Sequence, residues 1–225
     1  MEKSPLSTRI KKAPTKARKG PGPGRPTRGQ AEQRNLELLD KTLELFLEKG
    51  YDRTSIEEIA ASVGMAKRTV YSLHGKKKAL FLASLRQAID NWLVPPEVLE
   101  ANESEDIEES LLTIGKILLD NVLTPQGLRL LRITNSEASH MPEISLYTYQ
   151  RGTGPTLEYL SDFFIRKSPR SIKRKEASDA ALAFLSLVIG GPANMAAWGI
   201  DLDNAQLSHH VKYSVHLFLH GFLSE

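Results

Sequence analysis

The chain contains no cysteine, which excludes disulfides, thiolate nucleophiles and cysteine-based metal sites. No run of residues approaches the roughly 20 apolar positions that a membrane-spanning helix needs. The basic N-terminus also lacks the apolar stretch of a secretory signal. A cytoplasmic protein with no membrane partner is therefore expected. Enzymatic signatures are missing as well: there is no Gly-x-Ser-x-Gly elbow, no Walker loop, no dinucleotide glycine fingerprint and no His-Glu-x-x-His pair. No enzyme and no cofactor are expected. Neither strand-like alternation nor an internal repeat is found, so the chain reads as all-α, with about nine helices.

What is present is an uneven charge. The net charge of +3 divides into 19 basic against 10 acidic residues over 1–90, and 11 against 17 over 91–225. A basic front and an acidic back suggest that only the front meets a polyanion. Residues 1–31 read as a disordered basic tail. The first 30 hold nine basic residues, one acid and five prolines, with no apolar periodicity, too little to drive ordering. Within the tail, Pro23-Gly24-Arg25-Pro26 is similar to the Gly-Arg-Pro core of arms that enter narrow A·T-rich minor grooves, which makes Arg25 a DNA-contact candidate.

Beyond the tail the pattern turns helical. Leu36, Leu39, Leu43, Phe46 and Leu47 recur at three-and-four spacing, and Gly50 supplies a C-terminal stop. Ser55 with Glu58 three residues on forms a capping-box pattern. It opens a short helix over 56–63, which Gly64 breaks before a second over 66–73. A longer helix runs to residue 94 and is stopped by Pro95-Pro96. An acidic linker is expected over 97–106. Helices follow over 107–122, 125–139, 142–167 (bent near Gly152-Thr153-Gly154-Pro155), 176–189 and 205–223.

The informative stretch is Thr54 to Tyr71. Two short helices about a glycine turn, with small Ala60 at their crossing, have the form of a helix-turn-helix. The second helix matches what a major groove admits. Lys67 and Arg68 can reach phosphates or guanine edges, Thr69 can touch a phosphate or a thymine methyl, and Tyr71 can anchor the backbone. A helical hairpin inside a bundle, its charges merely solvated, has the same spacing.

Over residues 35–82 the sequence resembles the TetR family of bacterial regulators. The shared features run from Glu48-Lys49-Gly50-Tyr51 through Thr54-Ser55-Ile56 and Ile59-Ala60 to Thr69-Val70-Tyr71 and Lys77-Lys78-Ala79-Leu80-Phe81. A second stretch, Gly127-Leu128-Arg129-Leu130-Leu131-Arg132 through Pro142-Glu143, is similar to the AefR-like C-terminal domains. The resemblance implies a homodimer, with a helix-turn-helix domain over 32–92 and a helical effector-binding and dimerisation domain over 93–225. It implies a repressor released from a palindromic operator in double-stranded DNA by a small-molecule effector. By position, Thr54 and Ser55 would cap the second helix and contact phosphate. Lys67, Arg68 and Thr69 would face the groove, Tyr71 would give its hydroxyl to the backbone, and Lys77 would contact phosphate. The family usually has His-Phe where this chain has Leu73-His74, so Leu73 and His74 exchange packing and contact roles; His74 stays on the contact list. Where the family has serine this chain has Lys76.

Polar residues in apolar surroundings are costly to bury without a partner. On that ground Arg132, Asn135, Glu137 and His140, with Trp92 and Tyr147, are candidates for effector contact. Trp198, Tyr149, Phe163 and Phe164 are further candidates for a cavity lining. His209, His216 and His220 share a side of the last helix, but no carboxylate is near in sequence, so no metal is expected. Dimerisation is expected through 176–189 and 205–223, with Phe218 at the interface.

Overall fold

The computed structural model describes residues 27–223, and no strand occurs among them. Arg25 and the Gly-Arg-Pro stretch lie outside the described residues. Helix α1 (Arg28–Lys49) starts at Thr27, whose hydroxyl accepts from the Gln30 amide while the Gln30 side chain accepts from the Thr27 amide. This reciprocal cap makes residues 28–31, expected to belong to the tail, part of the helix. Helices α2 (Ile56–Ser62), α3 (Lys67–His74) and α4 (Lys77–Trp92) follow. The expected acidic linker opens instead with α5 (Pro96–Glu100), whose Leu99 is fully buried. Proline at the first turn, where its missing N–H costs nothing, permits the helix.

Next come α6 (Ile107–Leu123), α7 (Pro125–Glu137) and α8 (Pro142–Thr148). A wide π turn, Tyr149–Thr153, joins α8 to α9 (Gly154–Lys167). A second π turn, Ser186–Gly190, joins α10 (Arg174–Leu185) to α11 (Gly191–Ala197). The expected helix ending at 189 therefore continues to Ala197. Both π turns lead into a Gly-Pro pair, Gly154-Pro155 and Gly191-Pro192. Proline carries no N–H for the carbonyl four residues back, so the ladder is interrupted at that point. At the second turn His210 fills the gap: its Nε2 lies 3.0 Å from the Val188 carbonyl and 3.1 Å from that of Leu187. His210 belongs to α12 (Asn204–Phe222), which starts at a capping box of Asp203 and Gln206.

The continuous stretch Arg174–Ala197 is long and apolar enough to cross a membrane by length and composition, which corrects the reading that no such run exists. Only 28% of its most apolar window is buried. Ala177, Ala181, Phe184 and Val188 face the core, while Leu182 and Leu187 are exposed.

Two apolar cores result. One gathers Leu38, Phe46, Ile59, Val70, Phe81 and Leu85 from α1–α4, and Leu130, Met141 and Ile144 from α7 and α8 join it. The position expected to divide two domains, residue 92, thus divides the chain more sharply than it divides the packing. The other core gathers α5, α6, α9, α10, the second π turn and α12 around Phe163, Phe164, Phe184, Phe218 and Phe222. Phe218 is buried against Phe164, Phe184 and Phe222 of its own chain. It is a core residue, not the interface residue that was expected.

Candidate nucleic-acid interface and internal cavity

Gly64 takes φ +62° in the turn between α2 and α3, a conformation that L side chains rarely adopt. Ala60 is buried at the crossing, and its carbonyl accepts from the Met65 amide at 2.8 Å. Val70 is the one buried residue of α3, so the helix is held by a single inward side chain and its neighbours. Lys67, Arg68, Thr69, Tyr71 and Ser72 are all exposed on it. Four of the expected contact residues therefore share one exposed helix.

The lysine is not unpartnered. Lys67 pairs with Glu57 of α2 and lies 5.5 Å from the centre of the Tyr71 ring. The hydrogen bond between the two raises the lysine pKa above its ordinary value and lowers that of Glu57. Ser55 is the N-cap of α2, accepting from the Glu58 amide at 3.2 Å, and is exposed. Its box is half made, because the Glu58 carboxylate turns to Lys49.

Thr54 and His74 are placed otherwise than expected, and Lys77 makes contacts within the protein. Thr54 is buried at 1% exposure, with its hydroxyl donating to the carbonyls of Leu45 and Gly50. It ties α1 to the start of α2 and has no surface for phosphate. Lys77 lays its ammonium over the Tyr51 ring, 4.5 Å from its centre, and donates to the Asp52 carbonyl at 3.3 Å in an exposed contact. His74 is half-buried, with Nε2 2.6 Å from Oδ1 of Asn35 on α1. It holds two helices together instead of facing outward.

Burial lowers the His74 pKa below the usual histidine value. The folded state then resists a proton that the unfolded chain accepts near pH 6.5. Its stabilising contribution is present above that value and lost as pH falls below it. Thermal unfolding followed from pH 8 towards pH 5 should show this loss, and His74→Gln should flatten it. Equal slopes for the two proteins would remove the assignment.

A cavity of about 420 Å³ lies between α4, α6, α7 and the two π turns. Its walls include Ile89, Leu118, Leu130, Leu185 and Ile189. Of the expected effector contacts it holds Trp92 and Asn135 only. Arg132 caps the end of α11 by donating to the carbonyls of Ala196 and Ala197. Glu137 lines a separate groove against α1. His140 is exposed in the turn before α8. Tyr147 donates to Asp90 at 2.7 Å beneath the Arg86 guanidinium. Phe163 and Phe164 are core, and Trp198 and Tyr149 are exposed. Sequence reasoning missed Thr134, Thr148, Thr153, Thr156 and Ser186 in the lining.

The cavity touches α4 at close quarters. A Cβ on Gly152 would fall 2.5 Å from Cδ2 of Leu93, the residue that ends α4, so the first π turn packs directly on that helix end. Arg151 of the same turn donates to Asp90 at 3.1 Å. Trp92 donates to the Asn121 carbonyl, and the Asn121 side chain donates back to the Trp92 carbonyl. On the last helix, His216 and His220 approach with Nε2 atoms 3.0 Å apart. Among the described residues no group of three His, Asp or Glu side chains could hold a metal ion.

Residues 38–84 match the profile of the tetR family of bacterial regulatory proteins, and residues 109–222 that of the AefR-like transcriptional repressor C-terminal domain. An HTH-type transcriptional regulator of Mycobacterium tuberculosis is 35% identical over 89 residues, which span 40% of this chain and 41% of that protein. The regulator YezE of Bacillus subtilis is 27% identical over 114 residues, 49% of this chain and 58% of its own length. These matches thus span about two fifths to three fifths of the curated relatives. A TetR-family regulator from Mesorhizobium loti shares the fold with a TM-score of 0.73, at 24% identity, over 87% of this chain and 98% of that one. The flavonoid-responsive regulator FrrA does so with 0.63, at 23% identity, over 84% and 97%.

Proposed function

The chain belongs to the TetR family of bacterial transcriptional regulators, and from that premise we propose that it is a homodimeric repressor working in the cytoplasm. In this reading it leaves a palindromic operator when a small molecule fills the cavity beside α4. A DNA-binding regulator, not an enzyme, follows from the family itself.

The observation that carries the reading is the outward face of α3, where Arg68, Thr69 and Tyr71 stand exposed around the single inward anchor Val70. The basic unit over 32–92 binds DNA, and the remainder over 93–225 senses the effector and dimerises. Two such helices in a two-fold dimer would enter successive major grooves about 34–36 Å apart. Support for the sensing half is the contact of the π turn at Gly152 with Leu93. A ligand pressing on that turn has a direct path to the helix carrying the DNA-binding unit. It lowers DNA affinity by its differential binding to the two arrangements. Leu187, Tyr213 and Leu217, exposed on neighbouring helices, support the dimer.

Selection from a random duplex pool tests the core claim, with a palindromic sequence as the expected product. Against that product, Arg68→Ala should reduce the specific-to-random preference by ~1–3 kcal/mol, the worth of a base contact. Tyr71→Phe should weaken both kinds of DNA alike. Enrichment of no sequence, or a full preference retained by Arg68→Ala, would count against the assigned face.

A further inference from the structure

Resting on the reading of the cavity as an effector site, we propose that its ligand is uncharged and brings hydroxyl or N–H donors on an apolar frame. A carboxylate or phosphate is the wrong chemistry. Among the residues lining the cavity there is no lysine, arginine, histidine, aspartate or glutamate. An ion entering it would lose water without gaining an opposite charge, which is expensive.

The hydroxyls set the finer preference. Thr148 donates its proton to the Ile144 carbonyl at 3.0 Å, Thr156 to Gly152 at 3.1 Å, and Ser186 to Leu182 at 2.8 Å. A hydroxyl has one proton and two lone pairs. With each proton already committed to the helix backbone, these three groups can only accept from a ligand. Trp92 and Asn121 are committed to each other, so the one indole donor in the wall is also taken. These three groups offer acceptors in an apolar shell, and Thr134, Asn135 and Thr153 complete a polar lining that carries no charge. A carboxylate at neutral pH has no proton to give them. A phenol or an alcohol has one, and its rings or chain match the leucine and isoleucine walls. At about 420 Å³ the space is at the lower end of cavities that enclose drug-sized molecules.

The test uses the full chain in titration calorimetry with three probes: a trihydroxystilbene, its trimethyl ether, and myristate. The trihydroxy compound should bind at least roughly threefold more tightly than the ether, since each neutral hydrogen bond is worth a few-fold in affinity, and myristate should bind most weakly. Thr156→Val should cost the trihydroxy compound roughly threefold to tenfold and the ether nothing. Thr148→Val serves the same purpose if the first variant does not fold. Equal affinity for phenol and ether, tighter binding of myristate, equal losses for both stilbenes in the variants, or no binding of any probe would overturn the proposal. A parallel titration on the selected DNA separates the two readings. Tight phenol binding that leaves the DNA complex intact supports the ligand class and removes the effector role.

Discussion

Leu217→Glu is expected to yield a folded monomer whose affinity for a two-half-site duplex falls by roughly 100- to 10,000-fold, the advantage that linkage gives to a second binding event. Leu217 is 49% exposed on α12, and Tyr213, one turn before it, is 60% exposed. Leu187 on the neighbouring π turn adds to the same side of the bundle. In a two-fold interface the same patch meets itself, so one substitution places two carboxylates close together in an apolar contact. The choice of residue matters. Val215, Phe218, Leu219 and Phe222 on this helix are buried in the protomer's own core, and a charge at any of them would unfold the chain without testing dimerisation. Sedimentation at micromolar concentration should find wild-type dimers and variant monomers with the same helical circular dichroism. A variant that remains dimeric would move the interface elsewhere.

Phe164→Ala should destabilise the protein by roughly 3–5 kcal/mol, as large aromatic truncations in cores do. Its ring is completely buried and lies 5.6 Å from that of Phe163, 5.2 Å from Phe218 and 4.9 Å from Phe222. These contacts tie α9 to α12, and the Phe184 ring at 6.2 Å adds α10. Three helices therefore lose a shared partner at once, and the site cannot easily collapse around the void. Net stabilities of domains are typically only about 5–15 kcal/mol, so this single change could remove a large share. Urea unfolding at fixed protein concentration should show a lower midpoint with an unchanged slope. A loss below about 1 kcal/mol would mean that the rings are peripheral to the core.

The helix-turn-helix was legible because its signals are local. Gly50 and Gly64 mark stops, and both take positive φ. Ser55 marks a start, and the apolar spacing names the inward residues. What was not legible depends on partners distant in sequence. Nothing in Thr54-Ser55 tells which hydroxyl caps and which points to carbonyls in the preceding helix and turn. His74 looks like a surface residue until Asn35, 39 positions away, is brought against it. The acidic stretch after Pro96 hid a short helix whose one core residue is Leu99. Most of the candidate effector contacts lie outside the cavity, and the reason is physical. Arg132 and Glu137 are polar but long, and such side chains reach water from an apolar neighbourhood. Threonine and serine can stay in an apolar wall because their proton bonds the preceding helical turn, and that habit leaves no mark in sequence.

The pairing of Lys67 with Glu57 bears on how ions compete with DNA. A basic side chain that meets phosphate normally displaces a condensed cation from the duplex, and the release of that ion makes affinity fall with salt. In the proposed complex Lys67 would come to the duplex with an anion, Glu57, already attached to the same protein. A phosphate that takes this ammonium must first evict a carboxylate, which cannot diffuse away and remains beside the groove as a negative charge. It offsets part of the neutralisation that Lys67 provides. Arg68, which makes no ion pair among the described residues, would neutralise a full charge. In that complex the steepness of salt dependence would undercount the phosphates that this helix touches.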